Sequence, residues 1–282
     1  MSIDLIKQRL AEFRPVDKEH ELQAVKEIVQ EVALCALARQ DFFKHAAFMG
    51  GTCLRILHKL PRFSEDLDFV LLTPDSSFSW SSMLGLLARE FEAYDLRLEV
   101  KDRSKADQAV KKAFLKEDSF GRVLQLTYER RKSDSPKIIV KLEVDTNPPA
   151  NAVHESRIVR FPFPFSVTAH DLPSLFAGKC HALLCREYVK GRDWFDFLWY
   201  ISRDVKPNFS LLKSALMQQG PWKDQDVSPD SHWLKTELHH KIDTIDWQRA
   251  QGEVLPFVYG NYRESLRDWK KDFFHMNVDL LA

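Results

Sequence analysis

The first third of the chain carries apolar residues at the spacing of an amphipathic helix, separated by charged and polar residues. These positions are Leu22, Val25, Val29, Val32 and Ala36. A short apolar run over residues 46–49 then meets Gly50-Gly51, and helical spacing resumes from Leu54 until Pro61. The pattern therefore predicts a helix, a short strand, a glycine turn and a second helix, in that order.

The segment 66–72 alternates as a β-strand does, with Asp66 and Asp68 on one face and Leu67 and Phe69 on the other. A helix over residues 79–93 should follow it. Further apolar alternation predicts three more strands. The charged stretch between the first two of these strands is predicted to be helix or loop. The strands are predicted at 96–100, 122–128 and 137–145, and the charged stretch is 101–116.

Prolines then interrupt the pattern, and the remainder of the chain looks helical. The alternating Phe-Pro run over residues 161–165 is extended by necessity. Beyond it, Asp171 is a good N-cap with Pro173 in the first turn, and a further helix is predicted over 192–202. We expect an α+β protein with a small mixed sheet flanked by helices over residues 1–165, and a helical C-terminal region over residues 166–282.

Composition and charge restrict the class of function. The chain has 282 residues, of which 44% are hydrophobic and 29% charged, and its formal net charge is zero. Any contact with nucleic acid must therefore be local. Four cysteines form no C-x-x-C pair, and no apolar run is long enough to span a bilayer. The charged residues near the N-terminus are not typical of a signal peptide, so none is expected. A cytoplasmic protein with reduced thiols is expected.

The first candidate for chemistry is Gly50-Gly51-Thr52 at the predicted turn from strand to helix. Glycine lets the backbone approach a ligand closely, and the start of a helix offers unpaired N–H groups to phosphate oxygens. The Thr52 hydroxyl could add a donor. The alternative interpretation is a tight turn without a ligand.

The second candidate is the pair Asp66 and Asp68, whose carboxylates point into one volume if the segment is a strand. Two such carboxylates repel unless a cation neutralises them, and Mg²⁺ favours a few carboxylates together with substrate phosphates. Glu143 on the strand 137–145 is the preferred third acid of a two-metal site. Asp145 is the alternative, although it could instead cap the turn that follows; a solvated polar face remains open for both strands.

The third candidate pairs Lys179 with Asp193. Lys179 lies between Leu175 and Leu183 on the apolar stripe of its predicted helix, so it either extends along the surface to solvent or meets an anion inside. Asp193 lies near a predicted helix start and shares a face with Asp196. An acid there also simply suits the helix dipole.

Taken together, these segments resemble the AbiEii/AbiGii-type nucleotidyltransferase toxins. The resemblance extends over roughly residues 48–202. It rests on the residues 50–55 (Gly-Gly-Thr-Cys-Leu-Arg), 62–69 (Arg-Phe-Ser-Glu-Asp-Leu-Asp-Phe), Lys179 and 192–197 (Arg-Asp-Trp-Phe-Asp-Phe).

The resemblance implies a DNA polymerase β-like fold and transfer of a nucleotide from a nucleoside triphosphate to an acceptor hydroxyl, with Mg²⁺ or alternatively Mn²⁺. Asp66 and Asp68 would bind the metal, and Asp66, Asp68, Lys179 and Asp193 would be catalytic. Gly50, Gly51, Thr52, Arg62, Ser64 and Lys179 would contact the nucleotide. The family also implies a bacterial toxin or phage-defence role, the 3′ end of tRNA as the acceptor in some relatives, and a separately encoded antitoxin. No membrane partner is expected, because no apolar run of the sequence could span a bilayer.

Other functions use the same residues. A protein AMP- or UMP-transferase would differ only in its acceptor. A nucleotide-binding module without turnover would keep the fold, and a metal nuclease also clusters carboxylates. The chain keeps both Asp66 and Asp68, which favours an active transferase.

Overall fold

A computed structural model describes residues 3–94, 98–102, 110–117 and 138–281 of the chain. Within them lies a seven-stranded sheet with the order β3-β4-β5-β2-β1-β7-β6. The strands are β1 (Ala46–Met49), β2 (Asp66–Leu71), β3 (Leu98–Asp102), β4 (Val110–Glu117), β5 (Ile138–Asp145), β6 (His154–Val159) and β7 (Phe165–His170).

The sheet is mixed, as predicted, and its two central pairings set the position of the acidic residues. β1 pairs antiparallel with β2 and brings Met49 opposite Asp68. β2 pairs parallel with β5 and brings Asp68 opposite Glu143. The end of β1, where the glycines begin, therefore lies beside the second aspartate.

The described residues also form eleven α-helices. They are α1 (Ile3–Phe13), α2 (Lys18–Ala38), α3 (Gly50–His58), α4 (Ser81–Glu92), α5 (Leu172–Cys185), α6 (Gly191–Ile201), α7 (Phe209–Gln218), α8 (Ser231–Asp243), α9 (Trp247–Val254), α10 (Asn261–Ser265) and α11 (Lys271–Asp279). In the part of the chain that the structure describes, no helix is long and apolar enough to cross a membrane.

The chain divides into two compact units. The first comprises Met1–His58, Phe63–Pro148 and Ser156–Ala169; the second comprises Lys59–Arg62, Pro149–Glu155 and His170–Ala282. The second unit thus also includes two short segments that precede residue 166.

The core of the first unit is aromatic. The rings of Phe42 and Phe69 meet edge to face with centroids 5.0 Å apart, and Trp80 stacks on Phe42 at 5.5 Å. All three side chains are buried. This packing holds the apolar face of β2, so the alternation of that strand leaves its aspartates on the opposite face.

The second unit is a set of capped helices around a second aromatic core. Asp171 accepts a hydrogen bond from the Ser174 N–H and begins α5, as predicted. Trp247 stacks on Phe274 with centroids 3.9 Å apart, and Trp194 meets Phe274 edge to face at 5.3 Å. The aromatic residues of the C-terminal region thus pack helices together.

Three secondary-structure predictions need comment. The stretch 101–116 was predicted as helix or loop, but β3 extends to Asp102 and β4 begins at Val110. Pairing with β5 decides the conformation of β4, because strand partners distant in sequence override a charged local pattern. β6 and β7 were not predicted. The predicted strand 122–128 lies outside the described residues.

Candidate active site

The turn between β1 and α3 is built so that the Asp68 carboxylate can lie against it. Gly50 has a φ of +79°, in the left-handed region that glycine tolerates. A Cβ atom added there would lie 2.9 Å from the Asp68 Cβ and would overlap the carboxylate itself. The glycine is therefore required both by the backbone conformation and by the close approach of Asp68.

The two aspartates leave the strand on the face opposite Leu67 and Phe69. Leu67 and Phe69 are buried, whereas Asp66 and Asp68 are half-buried. Buried Thr52 donates its hydroxyl to the Asp66 backbone carbonyl, so it ties the first turn of α3 to β2. The structure thus gives the Thr52 hydroxyl a partner other than the predicted phosphate.

The neighbouring strand β5 brings a cation and an acid opposite the two aspartates. Lys141 lies opposite Asp66 and Glu143 lies opposite Asp68 in the β2–β5 register, and Lys141 forms an ion pair with Glu143. Partial burial disfavours the ammonium, but the carboxylates of Glu143, Asp66 and Asp68 outweigh it and raise the pKa of Lys141. Asp66, Asp68 and Glu143 thus lie together on this face, and carboxylates are ligands that suit a divalent cation.

The alternative third acid has another role. Asp145 accepts a hydrogen bond from the Asn147 N–H at 2.9 Å, so it caps the turn after β5. Of the two candidates, Glu143 is the one in register with Asp68. Ser64 lies just before β2, where its carbonyl accepts a hydrogen bond from the Gln30 amide at 3.0 Å.

The strand-borne residues fit a divalent cation that also binds substrate phosphates. No group of three or more His, Cys, Asp or Glu side chains among residues 3–94, 98–102, 110–117 and 138–281 is placed to hold a metal ion by itself. Mg²⁺ commonly takes only one or two carboxylates and completes its shell with phosphate oxygens and water. The pair Asp66 and Asp68 matches that requirement.

The second unit contains a buried network of charges. The Lys179 ammonium lies 2.6 Å from Asp193 Oδ1 and 2.8 Å from Asp196 Oδ2. Asp196, fully buried, also accepts two hydrogen bonds of 2.6 Å from Arg62. Lys179 therefore meets anions inside the protein rather than extending to solvent.

The network keeps its acids ionised despite burial. Burial alone would raise the pKa of Asp193, but Lys179, Arg186 and Lys190 outweigh it and lower that pKa to about 2. Burial likewise opposes the charge on Lys179, and Asp193 and Asp196 raise its pKa nonetheless. At neutral pH, Asp193 is thus a carboxylate that accepts hydrogen bonds, and it is too weak a base to take a proton readily.

The structure thus gathers the predicted residues into two groups, one in each unit. Gly50, Gly51, Thr52, Asp66, Asp68 and Glu143 belong to the first unit, and Arg62, Lys179 and Asp193 to the second. Arg62 is only 2% exposed and donates to Asp196, whereas its contact with a nucleotide stays a prediction. Asp196 was not among the predicted site residues, although its spacing of three from Asp193 placed both on one face.

The fold is that of nucleotidyltransferase toxins. Over all of this chain and 99% of the other, the structure matches "MenT4, nucleotidyltransferase toxin Rv2826c from Mycobacterium tuberculosis H37Rv" with a TM-score of 0.53 and 14% identity. It also matches JHP933 from Helicobacter pylori with a TM-score of 0.50 and 15% identity, over 91% of this chain and 93% of the other. No curated protein sequence matches the chain.

The sequence model of the nucleotidyl transferase AbiEii toxin, a component of type IV toxin–antitoxin systems, matches residues 32–268. The chain belongs to the AbiEii nucleotidyltransferase toxin family. The predicted enzyme class is thereby confirmed. Membership implies a nucleoside triphosphate substrate and an antitoxin partner.

Proposed function

We propose that the protein is a Mg²⁺-dependent toxin that transfers a nucleotide from a nucleoside triphosphate to an acceptor hydroxyl, with the 3′ end of tRNA as the acceptor. The observation that carries the proposal is the contact between Gly50 and the Asp68 carboxylate. This contact places the start of α3, which can bind phosphate, beside the Asp68 carboxylate, which can bind a metal ion coordinated by the same phosphate.

Each residue has a defined task in this proposal. The backbone of Gly50 and Gly51 at the start of α3 receives phosphate oxygens, and Asp66 and Asp68 hold Mg²⁺, with Glu143 as the third acid. When bound, the metal neutralises charge on the triphosphate as pyrophosphate departs. Lys179, which donates to Asp193 and forms an ion pair with Asp196, contacts a phosphate oxygen in this proposal.

Membership in the family supports the biological role, and the acceptor is the one that the sequence resemblance implies for some relatives. MenT4 is a nucleotidyltransferase toxin with the same fold. The protein would act in the cytoplasm, where triphosphates and tRNA are found, and its antitoxin would be a separate protein. The tRNA acceptor, the choice of Mg²⁺ and a role in phage defence are parts of this proposal.

The test is a transfer assay with each labelled triphosphate in turn, total tRNA, cell extract and Mg²⁺. We expect label on tRNA, and we expect Asp68→Asn to reduce transfer by roughly a hundredfold or more, because the substitution removes a charge that acts on the transition state. Asp204→Asn is the matched control, since Asp204 is exposed and has a φ of 51° that asparagine accepts.

Each other outcome assigns a different function. Label on protein alone would replace tRNA with a protein acceptor. RNA cleavage without any triphosphate would make the protein a nuclease. Full activity of Asp68→Asn would contradict the assignment of the metal site.

A further inference from the structure

A cleft in the second unit has features that the proposed reaction does not use. It has a cavity volume of about 50 Å³ and lies between the end of α5, the start of α6 and the end of α8. Three cationic side chains (Arg186, Lys190 and Lys241) and two acidic ones (Glu187 and Asp193) line it. Because Asp193 is already paired with Lys179, the cleft has an excess of positive charge.

Lys190 is the cation in this cleft that lacks a protein partner. The half-buried Lys190 ammonium makes no hydrogen bond or ion pair with the residues that the structure describes, unlike Lys241, which donates to the Arg186 carbonyl at 2.7 Å. Burial and the cations Arg192, Arg186 and Lys179 lower the pKa of Lys190, although Asp193 opposes them. An anionic ligand would relieve this repulsion.

Asp193 offers the cleft an acceptor. It is 3% exposed, and its Oδ2 atom accepts no hydrogen bond in the described part of the chain. Arg186 Nε lies 3.3 Å away as an ion pair, without the geometry of a hydrogen bond. A buried carboxylate oxygen left without a donor is costly, and a ligand hydroxyl is the donor that would satisfy it.

An exposed aromatic ring stands at the rim. Tyr188 is 61% exposed, and its hydroxyl accepts a hydrogen bond from Arg186 at 3.1 Å, which restrains the ring. A volume of about 50 Å³ holds a few water molecules, and hence a phosphate group rather than a whole nucleotide. A base would remain outside, where an aromatic ring can stack on it.

We propose that this cleft, here called the Lys190 cleft, binds the phosphate and a ribose hydroxyl of a nucleotide. Lys190 contacts the phosphate, Asp193 Oδ2 accepts from the hydroxyl, and Tyr188 stacks on the base. The nucleotide comes either from the free triphosphate or from the end of a single nucleic-acid strand. The inference rests on the proposed function, since it adds a substrate subsite to that reaction.

The test measures binding by fluorescence anisotropy, with the full chain in Mg²⁺ buffer. One probe is a triphosphate with a non-hydrolysable α,β-methylene bridge; the other is a short RNA that ends in a free ribose. Lys190→Met should weaken binding of one probe about tenfold, as expected for the loss of one charged hydrogen bond. Loss for the triphosphate alone identifies that source, and loss for RNA alone identifies the strand end.

Controls keep the test decisive. Lys206→Met removes an exposed lysine of the same unit and should leave both affinities unchanged. A probe without ribose hydroxyls should bind the wild-type protein several-fold more weakly, because Asp193 Oδ2 would again lack a donor. Unchanged affinity of Lys190→Met for both probes would overturn the inference, and equal affinity of the hydroxyl-free probe would remove the role of Asp193.

The two proposals can fail separately. If the protein binds a probe through Lys190 but transfers no label, the proposed reaction is wrong, and the inference that the Lys190 cleft binds a nucleotide is supported. If label is transferred while Lys190→Met binds both probes normally, the proposed reaction stands and the cleft is wrong.

Discussion

Two groups of charged residues in this protein use the same chemistry in opposite ways. On the sheet, Asp66 and Asp68 are half-buried, and they share their face with the ion pair of Lys141 and Glu143. Between α5 and α6, Asp193 and Asp196 are buried, and Lys179 and Arg62 neutralise them directly. The first arrangement lies where we propose that a metal and a triphosphate bind, whereas the second fixes the position of its own lysine.

The buried network should be the more sensitive of the two to deletion. Asp196→Ala leaves Arg62 and Lys179 without a shared partner inside the protein, so we expect it to lower the free energy of unfolding by about 3–5 kcal/mol. Urea denaturation measures the change. Asp226→Ala is the control, because Asp226 is 83% exposed in its pair with Lys213 and its replacement should leave the free energy of unfolding nearly unchanged.

If Asp196→Ala does not fold, Asp196→Asn keeps the shape of the side chain and still removes its charge. A loss no larger than that of Asp226→Ala would show that the two groups do not differ in the way described.

On the sheet, the close contact between Gly50 and Asp68 can be tested by a change of size rather than of charge. Gly50→Ala places a methyl group on the Asp68 carboxylate at a φ of +79°, so it should destabilise the protein by roughly 1–3 kcal/mol and also reduce transfer. Thermal unfolding and the transfer assay report the two effects. Gly85→Ala is the matched control, because nothing lies within 4 Å of the added atom on α4, and it should stabilise the protein slightly. Similar behaviour of the two variants would argue against the close contact.

Acid should weaken the buried network through Asp193. Its pKa is lowered from 3.8 to about 2 in the folded protein, so the folded state binds this proton less tightly than the unfolded state. The resulting stabilisation, about 2 kcal/mol, is present above pH 4 and disappears as the pH falls through 2. The free energy of unfolding between pH 4 and 2 should therefore fall more steeply in wild type than in Asp193→Asn. Parallel curves would mean that Asp193 is not stabilised as an anion.

Removal of the lysine on the strand should have the smallest effect on stability. The Lys141–Glu143 pair is only partly buried, so Lys141→Met should change the free energy of unfolding by at most about 1 kcal/mol. The same variant frees negative charge beside Asp66 and Asp68, so half-maximal transfer should need several-fold less Mg²⁺. Titration of Mg²⁺ in the transfer assay checks this, and an unchanged requirement would show that Lys141 does not compete with the metal.

Local pattern was enough to predict the residues on which the strand site depends. Alternation over 66–72 placed the aspartates on the face opposite Leu67 and Phe69, and the paired glycines marked the turn before α3. The N-cap at Asp171 was also predicted from the local sequence. β4, β6 and β7 were missed because a strand depends on partners far away in the sequence, and charged or proline-broken segments give no local sign of them.

The sequence by itself determined the family, the order of the motifs and the residue types available for the chemistry. Only the tertiary structure decided that Arg62 serves Asp196, that Thr52 is bound by the Asp66 carbonyl, and that Asp145 caps a turn while Glu143 lies beside Asp68. The physical reason is that a charged or hydroxyl side chain takes the partner that comes within about 3 Å of it, and long-range folding sets that distance. Arg62 and Asp196 meet across 134 positions of sequence, a contact that local periodicity cannot predict.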